Sequence, residues 1–139
     1  MGRIMAIDYG TKRTGIAVTD PLKIIANGLD TVTTDKLWAF LETYLTQEVV
    51  ECIVFGEAKR RDGSPNKNQH FIIGLMRKIK KAYPTIKIDT FDERYTSMRA
   101  KEIILQSGTR KKKRRQKKGL VDKISAVLIL QDYMEAQGI

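Results

Sequence analysis

Apolar and polar positions follow two rhythms along this chain. Short apolar runs closed by turn residues dominate the first third. They predict strands at 3–8, ending on Asp8, at 14–20, stopping at Asp20-Pro21, and at 28–33. After 34 the rhythm changes. Leu37, Phe40, Leu41, Tyr44 and Leu45 recur at i, i+3, i+4, i+7 and i+8, which predicts an amphipathic helix capped by Thr34 or Asp35. Cys52-Ile53-Val54-Phe55, closed by Gly56, reads as an interior strand covered on both faces. A polar stretch, 59–66, has the Asp-Gly and Ser-Pro breakers of an exposed loop. A second helix over about 67–82 turns Ile72, Leu75, Met76, Ile79 and Tyr83 inward, and a last strand follows at 86–91. Helices are expected over about 97–106 and 120–136, the latter with Leu120, Ile124, Val127, Leu128 and Met134 on one stripe.

The order βββαβαβαα gives an α/β fold. A three-stranded antiparallel meander is extended by two parallel strands through crossovers, making a mixed five-stranded sheet with helices on both faces. At 139 residues the chain is read as a single domain, 1–139. No apolar run approaches the roughly 18–20 residues that span a bilayer, and no signal segment opens the chain, so a cytoplasmic protein without membrane contact is expected. Cys52 is the lone cysteine and reads as a buried small side chain. With one histidine, His70, beside it, a zinc site is disfavoured.

Charge changes the picture more than composition does. The net charge is +10, and Arg110, Lys111, Lys112, Lys113, Arg114, Arg115, Lys117 and Lys118 supply eight basic residues in nine positions. The rest of the chain is close to neutral. Set between Gly108 and Gly119, this run reads as a mobile basic loop at about 108–119 that attracts a polyanion, nucleic acid above all. It lacks the apolar anchors of a membrane-surface segment.

Three acids, far apart in sequence, each stand at the edge of an apolar element: Asp8, Glu93 and Asp122. Buried carboxylates are costly unless compensated, and converging ones are relieved by divalent cations. Oxygen donors favour Mg2+ or Mn2+, and such clusters hydrolyse phosphodiesters. Each acid also has a plainer reading. Asp8 could cap the turn at Thr11, Glu93 could pair with Arg94 or a lysine, and Asp122, taken in the first turn of its helix, could complement the helix dipole.

Ile7-Asp8-Tyr9-Gly10 with Arg13-Thr14-Gly15-Ile16-Ala17, Asp92-Glu93-Arg94-Tyr95-Thr96-Ser97, and Val121-Asp122-Lys123 with Ala126 to Tyr133 together resemble the YqgF/RuvX family. That family is described as pre-16S rRNA nucleases and as Holliday junction resolvases. The resemblance spans nearly the whole chain. It implies a ribonuclease H-like fold and a cytoplasmic nuclease dependent on magnesium or manganese that processes the 5′ end of 16S rRNA, with ribosomal particles among its partners. Asp8, Glu93 and Asp122 match the family's catalytic, metal-holding acids, and Asp92 and Arg94 complete the second motif. Lys12, Arg13 and Arg94 are then expected on the scissile phosphate, and the basic run on the backbone of the nucleic acid. One departure stands out. The family's Gly-x-Pro is Gly56-Glu57-Ala58 here, which makes Glu57 either a solvent-exposed replacement or a fourth metal ligand.

Other functions remain open on the sequence. Branched DNA is an alternative substrate to the rRNA precursor. A non-catalytic RNA-binding assembly factor could use the basic run alone. Asp8-Tyr9-Gly10-Thr11 also resembles the phosphate-gripping turn of actin-type ATP-binding modules, but these need two such domains and the chain has length for one.

Overall fold

The computed structural model describes residues 2–57, 68–92 and 114–139, with Glu57 and residues 114–120 described by backbone alone. The elements are β1 (Arg3–Asp8), β2 (Arg13–Thr19), β3 (Ala26–Thr33), a 3-10 turn (Thr34–Lys36), α1 (Leu37–Gln47), β4 (Val50–Glu57), α2 (Gln69–Ala82), β5 (Lys87–Asp92) and α3 (Arg114–Ala136). The five strands form one sheet in the order β3-β2-β1-β4-β5. β1 and β3 flank β2 antiparallel, whereas β4 runs parallel to both β1 and β5. This is the mixed sheet the element order predicts. Among the described residues no helix is long and apolar enough to cross a membrane.

Strand alternation sorts the side chains into two cores. Met5, Ile7, Ile16, Val18, Ile53 and Phe55 face Leu37 and Leu41 of α1 and Ile72 and Ile79 of α2. Ile4, Ala6, Ala17, Cys52 and Val54 face Ala126, Ile129, Leu130, Tyr133 and Met134 of α3. β1 and β4 are covered on both faces and therefore read as unbroken apolar runs. On the α3 side a row of small residues crosses β1, β2 and β3. Ala6, Ala17 and Gly28 stand in cross-strand register, and Gly15 lies opposite Asp8. A Cβ at Gly28 would lie 2.9 Å from Lys123 Cγ, and one at Gly15 would lie 2.0 Å from the Asp122 carbonyl oxygen. The helix backbone rests on the sheet at Gly15, and the Lys123 side chain lies over Gly28.

Four details depart from the sequence reading. The first helix has no side-chain cap: a 3-10 turn precedes it, and the Thr34 hydroxyl donates to Gly10 O at 2.6 Å. α3 begins at Arg114, so Gly119 and the second half of the basic run are helical backbone rather than loop. Of the expected stripe Leu128 and Met134 are buried, together with Ala126, Ile129, Leu130 and Tyr133, while Ile124 and Val127 are only half-buried. The reason is that 126–130 is continuously apolar, so periodicity names no face there; the small residues of the sheet choose it. β3 starts at Ala26, two residues early, because the Asp20 carboxylate gathers the Leu22, Ile24 and Ile25 N–H groups into a tight turn. Those bonds, the one from Ile25 foremost, hold its pKa below the usual carboxylate range. The helix expected at 97–106 and the polar loop at 59–66 lie outside the described residues.

Far from Asp8, the Tyr133 hydroxyl donates to Asp89 Oδ2 at 2.8 Å and lies 3.8 Å from Cys52 Sγ. Phe91 meets the Tyr133 ring edge-on. Burial raises both the Tyr133 and the Cys52 pKa, which keeps the phenol and the thiol protonated. Cys52 is buried and unbonded to another cysteine, as expected of a small core residue.

Gly15→Ala is expected to cost about 1–3 kcal/mol, because a methyl there overlaps backbone atoms that can move only with the whole helix. Urea denaturation of the variant measures it; a loss below about 0.5 kcal/mol would mean that α3 does not seat at this point.

Candidate active site

Asp8 closes β1 beside the ends of β4 and β5, whose last paired residues are Glu57 and Asp92. Parallel strands therefore deliver these acids to one edge of the sheet. The two faces then separate them. Asp8 follows Ile4 and Ala6 onto the α3 side. Asp92 alternates with Phe91, which packs on the α3 side, and shares the opposite face with Ile88. Glu57 is described by its backbone pairing with Asp92, and Glu93 and Arg94 lie outside the described residues.

Gly15 brings the distant acid in. It pairs across the ladder with Asp8, and its missing side chain admits the Asp122 backbone. Residues 8 and 122 thus meet around one glycine on one face. Arg13 shares that face, two positions ahead of Gly15, and its Nε donates to Asp122 Oδ2 at 3.0 Å. The Asp122 side chain is 24% exposed and that of Arg13 is 40% exposed. Arg13, expected on a phosphate, here holds a carboxylate. Asp122 also sits eight residues inside α3, not in its first turn, so the dipole reading fails: that field falls off within a turn.

The turn between β1 and β2 is fastened from three sides. A Cβ at Gly10 would lie 2.2 Å from Arg13 O, so the chain folds back on itself there. Thr14, fully buried, bonds the Thr34 hydroxyl at 2.9 Å, and that hydroxyl in turn donates to Gly10 O. Thr34 N–H donates to Lys12 O at 3.0 Å, and the Thr11 hydroxyl donates to Asn68 Oδ1 at 3.2 Å. Thr14, Thr34, Asn68 and the seat at Gly15 escaped the sequence reading. The one available signal was Thr14, a hydroxyl in a buried strand that has to find a partner. Lys12 is exposed at the tip.

Of the basic run, Arg110 to Lys113 lie outside the described residues; Arg114, Arg115, Lys117 and Lys118 form the opening turns of α3 by backbone. Lys118 stands four residues, about one turn, ahead of Asp122. Among the described residues no group of three or more acidic, histidine or cysteine side chains is poised to hold a metal ion.

A family model described as RuvX, Holliday junction resolvase, matches residues 2–136. The chain belongs to the RuvX family. Relatives named "Putative pre-16S rRNA nuclease" include that of Porphyromonas gingivalis, 50% identical over 97% of each chain. That of Parabacteroides distasonis is 46% identical over 99% of this chain and 97% of its own. The fold is that of resolvases. Fowlpox virus resolvase, solved with Holliday junction DNA, superposes with a TM-score of 0.58 at 16% identity over 97% of this chain and 98% of its own. Thermus thermophilus RuvC, solved with a Holliday junction substrate, gives 0.53 at 14% identity over 99% and 97%. RuvX membership makes the chain a nuclease, a hydrolase, as the resemblance implies.

For a pair this exposed, a double-mutant cycle with Arg13→Gln and Asp122→Asn should give a coupling of about 0.2–1 kcal/mol in thermal unfolding without divalent ions. Zero coupling would mean that the guanidinium does not rest on Asp122 in solution.

Proposed function

We propose that this RuvX protein is a metal-dependent endonuclease that hydrolyses phosphodiester bonds in structured RNA, trimming the 5′ end of the 16S rRNA precursor in the cytoplasm. Asp8, Glu93 and Asp122 are its proposed catalytic acids. The single observation that carries this reading is the meeting of Asp8 and Asp122 around Gly15 at the end of β1.

The residues fit a hard divalent cation. Two carboxylates share one face at a solvent-accessible edge, and the Arg13 guanidinium stands beside Asp122. Asp8, Asp122 and, from the second motif, Glu93 would hold Mg2+ or Mn2+. Asp92 faces away from Asp8 on the sheet, which leaves Glu93 as that motif's metal-holding acid in the proposal. When bound, the metal supplies an activated water and stabilises charge on the leaving oxygen. The chain's own part is positional. The pinned turn presents Lys12 and Arg13 to the scissile phosphate, and a guanidinium matches two phosphate oxygens at once. Arg110 to Lys118 supply affinity along the backbone without reading sequence.

Branched DNA is the second reading, favoured by the shared fold with the fowlpox resolvase seen on a Holliday junction. One assay addresses both. Purified protein is incubated with precursor 16S rRNA and with a four-way DNA junction, with and without magnesium or manganese. Cleavage of the RNA should need the metal and vanish in Asp8→Asn, with thermal stability within about 1 kcal/mol of wild type, as expected for a near-isosteric surface change. Full turnover in Asp8→Asn would move the chemistry elsewhere, and cleavage of the junction alone would make DNA the substrate.

The basic run should set affinity rather than rate. Replacing Lys111, Lys112, Lys113, Arg114 and Arg115 with glutamine should weaken binding broadly and flatten its salt dependence by about 0.9 log units per lost duplex phosphate contact. An unchanged salt slope would remove the run from the interface.

A further inference from the structure

We propose that the face of α2 formed by Phe71, Gly74 and Lys78, with Trp38 of α1 under the Lys78 ammonium, is a binding subsite for an unpaired nucleobase with its phosphate, beside the turn that presents Lys12 and Arg13. This rests on the reading that the substrate is nucleic acid.

Both helices start at the sheet edge that carries Asp8. α1 follows Thr34, which is bonded to Gly10 and Lys12, and α2 follows Asn68, which is bonded to Thr11. In the first turn of α2, Phe71 leaves 51% of its surface exposed, with the His70 ring centroid 4.0 Å away and its plane tilted by 37°. Phe71, Gly74 and Lys78 fall at i, i+3 and i+7, one side of the helix. A Cβ at Gly74 would meet nothing within 4 Å. Beyond that gap the Lys78 ammonium sits 4.1 Å from the centroid of the Trp38 ring of α1.

An aromatic face, a backbone gap and an ammonium thus stand in one line. Each part suits a nucleotide. An exposed ring offers a stacking surface to any base whose own face is free, which a paired base in a continuous helix does not have. The gap at Gly74 lets the base approach the helix. The ammonium, steadied on the indole, takes the phosphate. The helix's charge selects an anion over an apolar partner: α2 carries Arg77, Lys78, Lys80 and Lys81 and no acidic residue. A glycine in mid-helix costs stability relative to alanine, and among the described residues nothing lies within 4 Å of the place a Cβ would take.

The test is binding measured without divalent ions, so that cleavage plays no part. Fluorescence anisotropy compares a short single-stranded RNA with a fully paired RNA duplex, and a 2-aminopurine in the single strand reports stacking. Phe71→Leu should weaken the single strand about tenfold, abolish the quenching of 2-aminopurine, and leave the duplex unchanged. Phe71→Trp should restore both. Gly74→Gln should fill the gap and reproduce the loss while the melting temperature holds or rises. The subsite is refuted if Phe71→Leu binds the single strand like wild type, or loses duplex and single strand alike. It is equally refuted if the Phe71 variants change only self-association in sedimentation, which would make this face a protein contact. None of these readings depends on whether Asp8→Asn is inactive, so the subsite and the catalytic proposal fail separately.

Discussion

The site depends on a contact between two backbones. The Asp122 carbonyl comes so near the α carbon of Gly15 that no side chain fits between them. Gly15 is paired with Asp8 by the β1–β2 ladder, so the hydrogen-bond register of a hairpin fixes the distance between acids more than a hundred positions apart in sequence. The row Ala6, Ala17 and Gly28 extends the same seat across three strands. A larger residue at Gly15 would lift α3 and carry Asp122 off the sheet edge.

Much of this was legible in the residues. Each apolar run of the first third became a strand because its turns, Gly10 to Lys12 and Asp20-Pro21, are unambiguous. The mixed topology followed from two long crossovers after a short-turned meander. Asp8 and Asp122 were singled out by their placement at the edges of apolar elements, and family membership followed from three motifs in order. Three things were not legible. Periodicity could not orient α3, because Ala126 to Leu130 is apolar at every position. Glycine at 119 suggested a helix start where the helix runs through, since tertiary seating outweighs the modest cost of one glycine. The clamp on the β1–β2 turn joins Thr34 and Asn68 to Gly10 and Thr11 across long sequence separations, and hydroxyls and amides at such distances leave no pattern in a sequence.

Ion pairing adds a chemical layer to this frame. Arg13 rests on Asp122 and stands two residues from the glycine on which that acid is seated. The guanidinium is therefore held at this edge by a carboxylate, while the backbone beneath it stays fixed by Thr14 and Thr34. Side-chain exchange at this edge needs no movement of the sheet.

At its far end α3 is fastened again, by the Tyr133 hydroxyl on Asp89 and the Tyr133 ring against Phe91, both on the outermost strand β5. One helix thus grips β2 near its start and β5 near its finish, bridging the antiparallel and parallel halves of the sheet. Neither half can open alone without tearing that helix from the other. The slow hydrogen-exchanging amides of β1, β4 and α3 should therefore belong to one cooperative unit, released together only when the whole domain unfolds.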